Sequence, residues 1–315
     1  MKTSFSGDQA KEFNKFLDLP YSMLLESPVE DLGFEWSGRD DKKTFENNLE
    51  GIDGPALEYY LSNPFYYKVN KHRYRAPEFE DIILNEDGTI DVALGCSFTF
   101  GIGVPEEWTW PSLYTKLTGR NILNLGRPGG GVGHSYVALN QIIDRFKIKN
   151  VLHFHPTHPR ALYLLKMDYT NEILNTSVMF NMSFEDSQAK FIFNEDYFKQ
   201  IMCDTKYLTF IHKRDVDAIF GLCKGYNISY YNFCSYSPTP TLYYPDYIKN
   251  RLGKDVSIEE YKCKVIKSSD NKEDDIPARD LVHPSKNTQK LIANQFIKKM
   301  HNQAGYIQPF VDHVL

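Results

Sequence analysis

The chain has 315 residues, 42% apolar and 24% charged, the proportions of a folded globular protein and not of a disordered one. Its 36 Lys and Arg against 41 Asp and Glu leave a net charge of −5, which excludes nucleic-acid binding through bulk positive charge. No apolar run approaches the roughly 20 residues of a membrane-spanning helix, and the polar N-terminus carries no apolar core of a secretory signal.

Residues 1–89 read as a mostly helical appendage, broken by Pro20, Pro28, Pro55, Pro64 and Pro77, with no chemical motif. At Ile90 the pattern becomes α/β. Asp91-Val92-Ala93-Leu94 ends in Gly95 and reads as a buried parallel strand. Pro111 opens a helix that Gly119 closes. Ile122–Leu125 is a second strand, followed by glycines over 126–133. Leu139, Ile142, Ile143 and Phe146 make the apolar stripe of a second helix. Val151–Phe154 is a third strand, so the alternation predicts a parallel sheet with crossover helices. Residues 164–275 read as a variable insertion. It holds helices near 195–225, a strand over Ile228–Phe233, a Pro-rich loop at 235–247 and a polar loop at 266–275. Ser285 caps a last helix with Ala293, Phe296, Ile297 and Met300 on one face. The reading divides the chain into 1–89, a main domain over 90–304 and a tail over 305–315.

Three segments carry chemistry. In Gly95-Cys96-Ser97-Phe98-Thr99-Phe100-Gly101, a serine follows a buried strand, at the sheet edge where open α/β folds bind ligands. In Asp280-Leu281-Val282-His283, a carboxylate three residues before an imidazole can hold the ring's tautomer and stabilise its protonated form. In Asn124-Leu125-Gly126-Arg127-Pro128-Gly129-Gly130-Gly131-Val132-Gly133, bare backbone N–H groups can approach a ligand and hold a developing oxyanion. That stretch has neither the G-K-[ST] of a phosphate loop nor the G-x-G-x-x-G spacing of a dinucleotide site.

In this order the three segments resemble the SGNH (GDSL-like) hydrolase family. Its first block, G-D-S-x-T-x-G, corresponds to Gly95–Gly101, with Cys96 in place of the acid. Gly129 matches its second block, and Asp280 with His283 its terminal D-x-x-H. The resemblance covers roughly residues 91–160 and 276–300. It implies a flavodoxin-like three-layer α/β/α sandwich and a Ser97-His283-Asp280 triad, with Ser97 and Gly129 N–H groups as oxyanion donors. It implies a serine esterase that needs no cofactor. The family's third block usually carries G-x-N-D, and here Thr157 stands at the Asn position as a substitute donor. Arg127, His155 and Arg160 near the same edge are candidate substrate contacts, and the aromatic residues of 164–275 suit a carbohydrate O-acetyl ester.

Two other readings compete. An SGNH-like fold can serve as a binding or structural module without turnover. His153, His155 and His158 resemble the H-x-H-x-D-H of metallo-β-lactamase-fold enzymes, with Thr157 replacing the aspartate, which would make a metal-dependent hydrolase. Cys96, Cys203, Cys223, Cys234 and Cys263 are odd in number and form no C-x-x-C pair, which points to a reducing, cytoplasmic location without disulfides.

Overall fold

The computed structural model describes residues 33–37, 40–51, 54–156, 160–166, 173–179, 205–236, 263–264 and 275–304. In chain order the elements are β1 (Gly33–Phe34), α1 (Lys42–Glu50), α2 (Gly54–Leu57), α3 (Tyr59–Ser62), β2 (Tyr67–Lys68) and β3 (Ile90–Gly95). Next come α4 (Ser97–Phe100), α5 (Trp110–Thr118), β4 (Ile122–Asn124), α6 (Val132–Ile142), β5 (Ile148–His155), β6 (Arg160–Lys166) and β7 (Ile173–Met179). The last are α7 (Thr205–Gly225), β8 (Ser229–Tyr236), β9 (Cys263–Lys264) and α8 (Lys286–Ala304).

Five strands form one sheet in the order β4-β3-β5-β8-β9, with every pair parallel. Strand β3 lies second from one edge, buried along its whole length, which is why it reads as a continuous apolar run. Side chains alternate across the sheet with the period of two that a pleat imposes. Val92, Leu94, Val151 and Tyr230 face α6 and α7, where they meet Ala138, Leu139, Ile142, Val216 and Ile219. Ala93, Leu152, Phe154 and Phe233 face α5 and α8, where they meet Trp110, Tyr114, Ile292, Ala293 and Phe296. The result is the three-layer α/β/α sandwich that the resemblance implied, built on the parallel sheet that the alternation of elements predicts.

The one acid inside β3 is satisfied on every side. Asp91 accepts from the Tyr114 hydroxyl at 2.7 Å, from Arg120 Nε at 2.8 Å and from Asn150 at 2.8 Å. Such a buried carboxylate is tolerated because its charge is paired and its lone pairs are filled. Helix starts follow their sequence signals. Thr109 accepts from Ser112 N ahead of Pro111, and Ser285 Oγ accepts from Thr288 N at 3.2 Å. Gly119 ends α5 at φ +72.

Residues 160–166 and 173–179, which carried no expected strand, pair as the antiparallel hairpin β6–β7. Phe146 falls beyond the end of α6 yet packs against the same cluster as its stripe. Of the stretch near 195–225 where helices were expected, the described residues form one, α7 (Thr205–Gly225), and residues 195–204 lie outside the described residues. The loop expected at 266–275 lies outside the described residues except for Asp275, and of that expected at 235–247 only Ser235 and Tyr236 are described, as the end of β8. The described part of the N-terminal region consists of short helices and the β1–β2 ribbon. Its Phe45, Leu57, Tyr60, Phe65, Tyr67 and Val69 share one apolar cluster with Phe100, Ile102, Val104 and Ala278, at the carboxyl rim of the sheet. No described helix is long and apolar enough to cross a membrane.

Candidate active site

The chain leaves β3 at Gly95 and turns at once into the single-turn helix α4. Cys96 is in the extended region, and its carbonyl accepts from Phe100 N at 3.0 Å. Ser97 is the first helical residue, only 8% exposed, just beyond the carboxyl end of β3. The turn is pinned from α8. Buried Gln289 donates to the Phe98 carbonyl at 3.1 Å and accepts from Trp110 N at 2.9 Å. From β4, Asn124 Nδ2 donates to the Thr99 carbonyl at 2.9 Å. Two elements, α8 and β4, therefore fix the backbone that carries Ser97.

Asp280 and His283 lie on the loop that leads into α8. His283 Nδ1 is 2.6 Å from Asp280 Oδ2. An ionised carboxylate can only accept, so Nδ1 carries a proton, and in the neutral ring the lone pair is on Nε2. Asp280 Oδ1 accepts from Val282 N at 3.2 Å and His283 N at 3.1 Å. Burial would raise this carboxyl, but the His283 hydrogen bond and charge, with the two N–H groups, outweigh it and hold the group below its ordinary 3.8. Between acid and base, Leu281 sits at φ +58, a region that costs an L-residue roughly 1–2 kcal/mol. The loop's conformation is thus imposed by its contacts and not by local preference.

The two segments meet through Phe98, whose ring edge packs on the His283 imidazole with centroids 5.6 Å apart. No hydrogen bond joins Ser97 to His283 among the described residues.

The glycine stretch after β4 folds as a tight turn. Gly130 N donates to the Arg127 carbonyl at 2.9 Å, with Pro128 and Gly129 at the corners and Gly129 at φ +72. That φ needs glycine, and a Cβ there would meet open space, so the tip is bare backbone. The Gly129 N–H donates no hydrogen bond among the described residues. Arg127 N donates to the Gly95 carbonyl at 3.1 Å, which ties this turn to the end of β3. Arg160 Nη1 reaches the Gly130 carbonyl at 3.3 Å. Thr157 and His158 lie outside the described residues.

His153 and His155 lie on the α6/α7 side of β5, with ring centroids 4.1 Å apart. Both turn toward the Tyr230 hydroxyl, His153 Nδ1 at 2.8 Å and His155 Nε2 at 3.3 Å. His212 of α7 adds a third ring, 5.6 Å from His155. His155 is buried in this cluster. Among the described residues no three His, Cys, Asp or Glu groups are placed to hold a metal ion.

The cluster makes the fold sensitive to acid. Burial, then the charge of His212, pushes His153 down to about 3, and burial, then Arg160, pushes His212 down to about 4. Burial and neighbouring cationic groups hold His155 and His134 well below 6.5 as well. The unfolded chain protonates these rings near 6.5 and the folded chain does not. The stabilisation is therefore complete above pH 6.5 and is lost as pH falls toward the folded-state values. Melting curves between about pH 7 and 4 are expected to show Tm declining below 6.5, with a shallower slope in His212→Phe. A Tm flat across that window would contradict this assignment.

The structure brings the Ser97 turn, the Asp280–His283 pair and the Gly129 turn to one sheet rim. It places Arg127 and Arg160 close enough to buried His134 that both disfavour its protonation. Sequence reading missed Tyr230, His212 and Gln289, which are single residues in ordinary surroundings. It also missed Arg279, although Arg279 directly precedes a residue it did single out.

No family model matches the sequence, and no curated protein matches it. Three solved structures to which the chain is similar bear names of one kind. A member of the lipolytic protein G-D-S-L family from Veillonella parvula DSM 2008 is 13% identical with TM-score 0.27, over 67% of this chain and 97% of that one. The psychrotrophic esterase EstA from Pseudoalteromonas sp., inhibited by monoethylphosphonate, is 13% identical with TM-score 0.35, over 69% and 100%. The acetyl xylan esterase Est2A from the rumen bacterium Butyrivibrio proteoclasticus is 10% identical with TM-score 0.35, over 71% and 66%.

Proposed function

We propose that this chain is a serine esterase that cleaves carboxylic esters through an acyl-enzyme. The observation that carries the reading is the Asp280–His283 pair, bonded at 2.6 Å and packed through Phe98 against the turn that begins at Ser97. Ser97 Oγ attacks the acyl carbon, and its proton passes to His283 Nε2. Asp280 holds the ring by Nδ1 and stabilises the imidazolium. The carbonyl oxygen becomes an oxyanion received by the Ser97 and Gly129 N–H groups, with Thr157 as a third donor. Collapse expels the alcohol, which takes the proton from His283. Water, deprotonated by the same ring, then releases the acid and restores Ser97. Arg127 and Arg160 favour an ester with acidic substituents, and the aromatic content of 164–275 favours an acetylated carbohydrate as alcohol.

The experiment is covalent labelling. The full chain is incubated with a fluorophosphonate and digested, and the modified peptide is mapped, alongside turnover of p-nitrophenyl acetate. The expected result is one label on Ser97 and hydrolysis that labelling stops. Label on another residue would overturn the assignment. The missing Ser97–His283 hydrogen bond favours a second reading, a binding module on the same fold, and that reading is the conclusion if the chain shows neither label nor turnover.

A further inference from the structure

The loop that carries Asp280 and His283 is held by residues more than two hundred positions upstream. Arg279 Nε donates to Asp40 Oδ1 at 2.8 Å and Nη2 to Asp40 Oδ2 at 2.7 Å, a two-pronged ion pair with both side chains buried. The same Nη2 donates to the Glu35 carbonyl at 2.6 Å. The guanidinium lies 3.9 Å from the Trp36 ring centroid and 4.2 Å from that of Phe65.

The upstream segment also grips the loop that follows Ser97. The Tyr67 hydroxyl donates to Asp40 and accepts from Gly103 N at 2.7 Å. Arg279 N donates to the Gly103 carbonyl at 2.8 Å. Tyr60 closes the circuit, its hydroxyl lying 2.8 Å from the Pro277 carbonyl and 3.1 Å from the Gly103 carbonyl. Gly103 sits at φ +77, and a Cβ there would lie 2.9 Å from Ala278 Cβ and 3.1 Å from Asp280 Oδ1. The acid–base loop and the nucleophile loop are therefore in backbone contact, and Asp40, Tyr60 and Tyr67 are bonded to that junction.

We propose that the Asp40–Arg279–Tyr67 cluster is a positioning device that holds the Asp280–His283 pair in line with Ser97, so that the N-terminal region completes the catalytic site. The inference rests on the serine-esterase reading, and none of these three residues touches substrate. Two features require such a device. Leu281 occupies a backbone region it would not choose, so the loop relaxes unless it is held. The Ser97–His283 contact also depends on the relative placement of two loops, and a misplacement of about 1 Å costs on the order of 100-fold in rate.

The test separates holding the loop from holding the fold. Asp40→Asn leaves the buried guanidinium without its counter-charge and is expected to lower both Tm and kcat. The double variant Asp40→Leu with Arg279→Met removes both charges together, and buried ion pairs replaced in this way commonly keep or gain stability. In it Tm is expected to return toward the wild-type value while kcat on p-nitrophenyl acetate stays about 10- to 100-fold low, with KM within about twofold. The downfield proton resonance of His283 Nδ1–H, assigned by its loss in His283→Gln, is expected to broaden or vanish. A double variant with wild-type kcat and an intact resonance would overturn the proposal. If the double variant does not fold, Tyr67→Phe is read by the same measurements, and unchanged kcat and resonance there overturn it equally. If the wild type proves to have no turnover, the esterase reading fails by itself. The resonance in Tyr67→Phe then decides: its loss supports the holding role, and its persistence refutes it.

Discussion

Ser97→Ala is expected to lower kcat on p-nitrophenyl acetate on the order of 10⁴- to 10⁶-fold and to abolish fluorophosphonate labelling. The size follows from what one oxygen does. Without Oγ there is no acyl-enzyme, and the oxyanion donors alone can accelerate only attack by water. A loss of that size corresponds to about 5.5–8 kcal/mol of transition-state stabilisation. Stability should hardly move, because the Ser97 hydroxyl makes no hydrogen bond among the described residues and the fold of the turn rests on backbone groups and Gln289. Melting temperature and turnover measured on the same preparation check both halves. Full hydrolysis by the variant would remove Ser97 from the mechanism.

Asp280→Asn is expected to cost on the order of 10³- to 10⁴-fold in kcat with a much smaller change in KM. The carboxylate oxygen that faces His283 Nδ1 can be replaced by an amide NH₂, which donates. The ring then carries its proton on Nε2, the atom that has to accept from Ser97. A second consequence separates this variant from a general loss of structure. The native carboxyl is held below its ordinary 3.8, so its stabilising contribution is complete above that pH and is lost as pH falls through the lower folded-state value. Asp280→Asn should abolish that acid-side component, while the decline that begins near 6.5 from the buried histidines persists. A variant that keeps wild-type kcat would show that His283 does not depend on Asp280 for its tautomer.

These variants, the labelling experiment and the Asp40–Arg279 double variant probe different distances from the reacting atoms. In the proposed mechanism Ser97 forms and breaks the bond, Asp280 acts through one imidazole, and Asp40 acts through Arg279 on the loop that carries both Asp280 and His283. A gradient of effects, largest at Ser97 and smallest at Asp40, is the pattern expected if chemistry is concentrated at the rim of the sheet and the N-terminal region only holds it in place.

Much of this was legible in the residue order. The run at 90–95, the Pro111 and Gly119 punctuation of α5, the stripe of α6 and the Ser285 cap of α8 are each set by neighbours within a turn or two. Local sterics and hydrophobic periodicity act over that same range, so these elements could be read without coordinates. Asp280 and His283 are only three residues apart, and their pairing was legible for the same reason.

What folding alone decided lies in contacts with no local signature. Asp40 and Arg279 stand 239 positions apart in stretches of unremarkable composition, and only packing brings them together. His153 and His155 illustrate the same limit. Their alternate spacing put them on one face of a strand, as the sequence implied. What they meet there, Tyr230 of β8 and His212 of α7, was fixed by strand order β5-β8 and by the helix laid across it. A sequence records which groups can pair. Burial in a common core decides which of them do, because a buried charge or hydroxyl left without a partner costs a sizeable fraction of a fold's net stability.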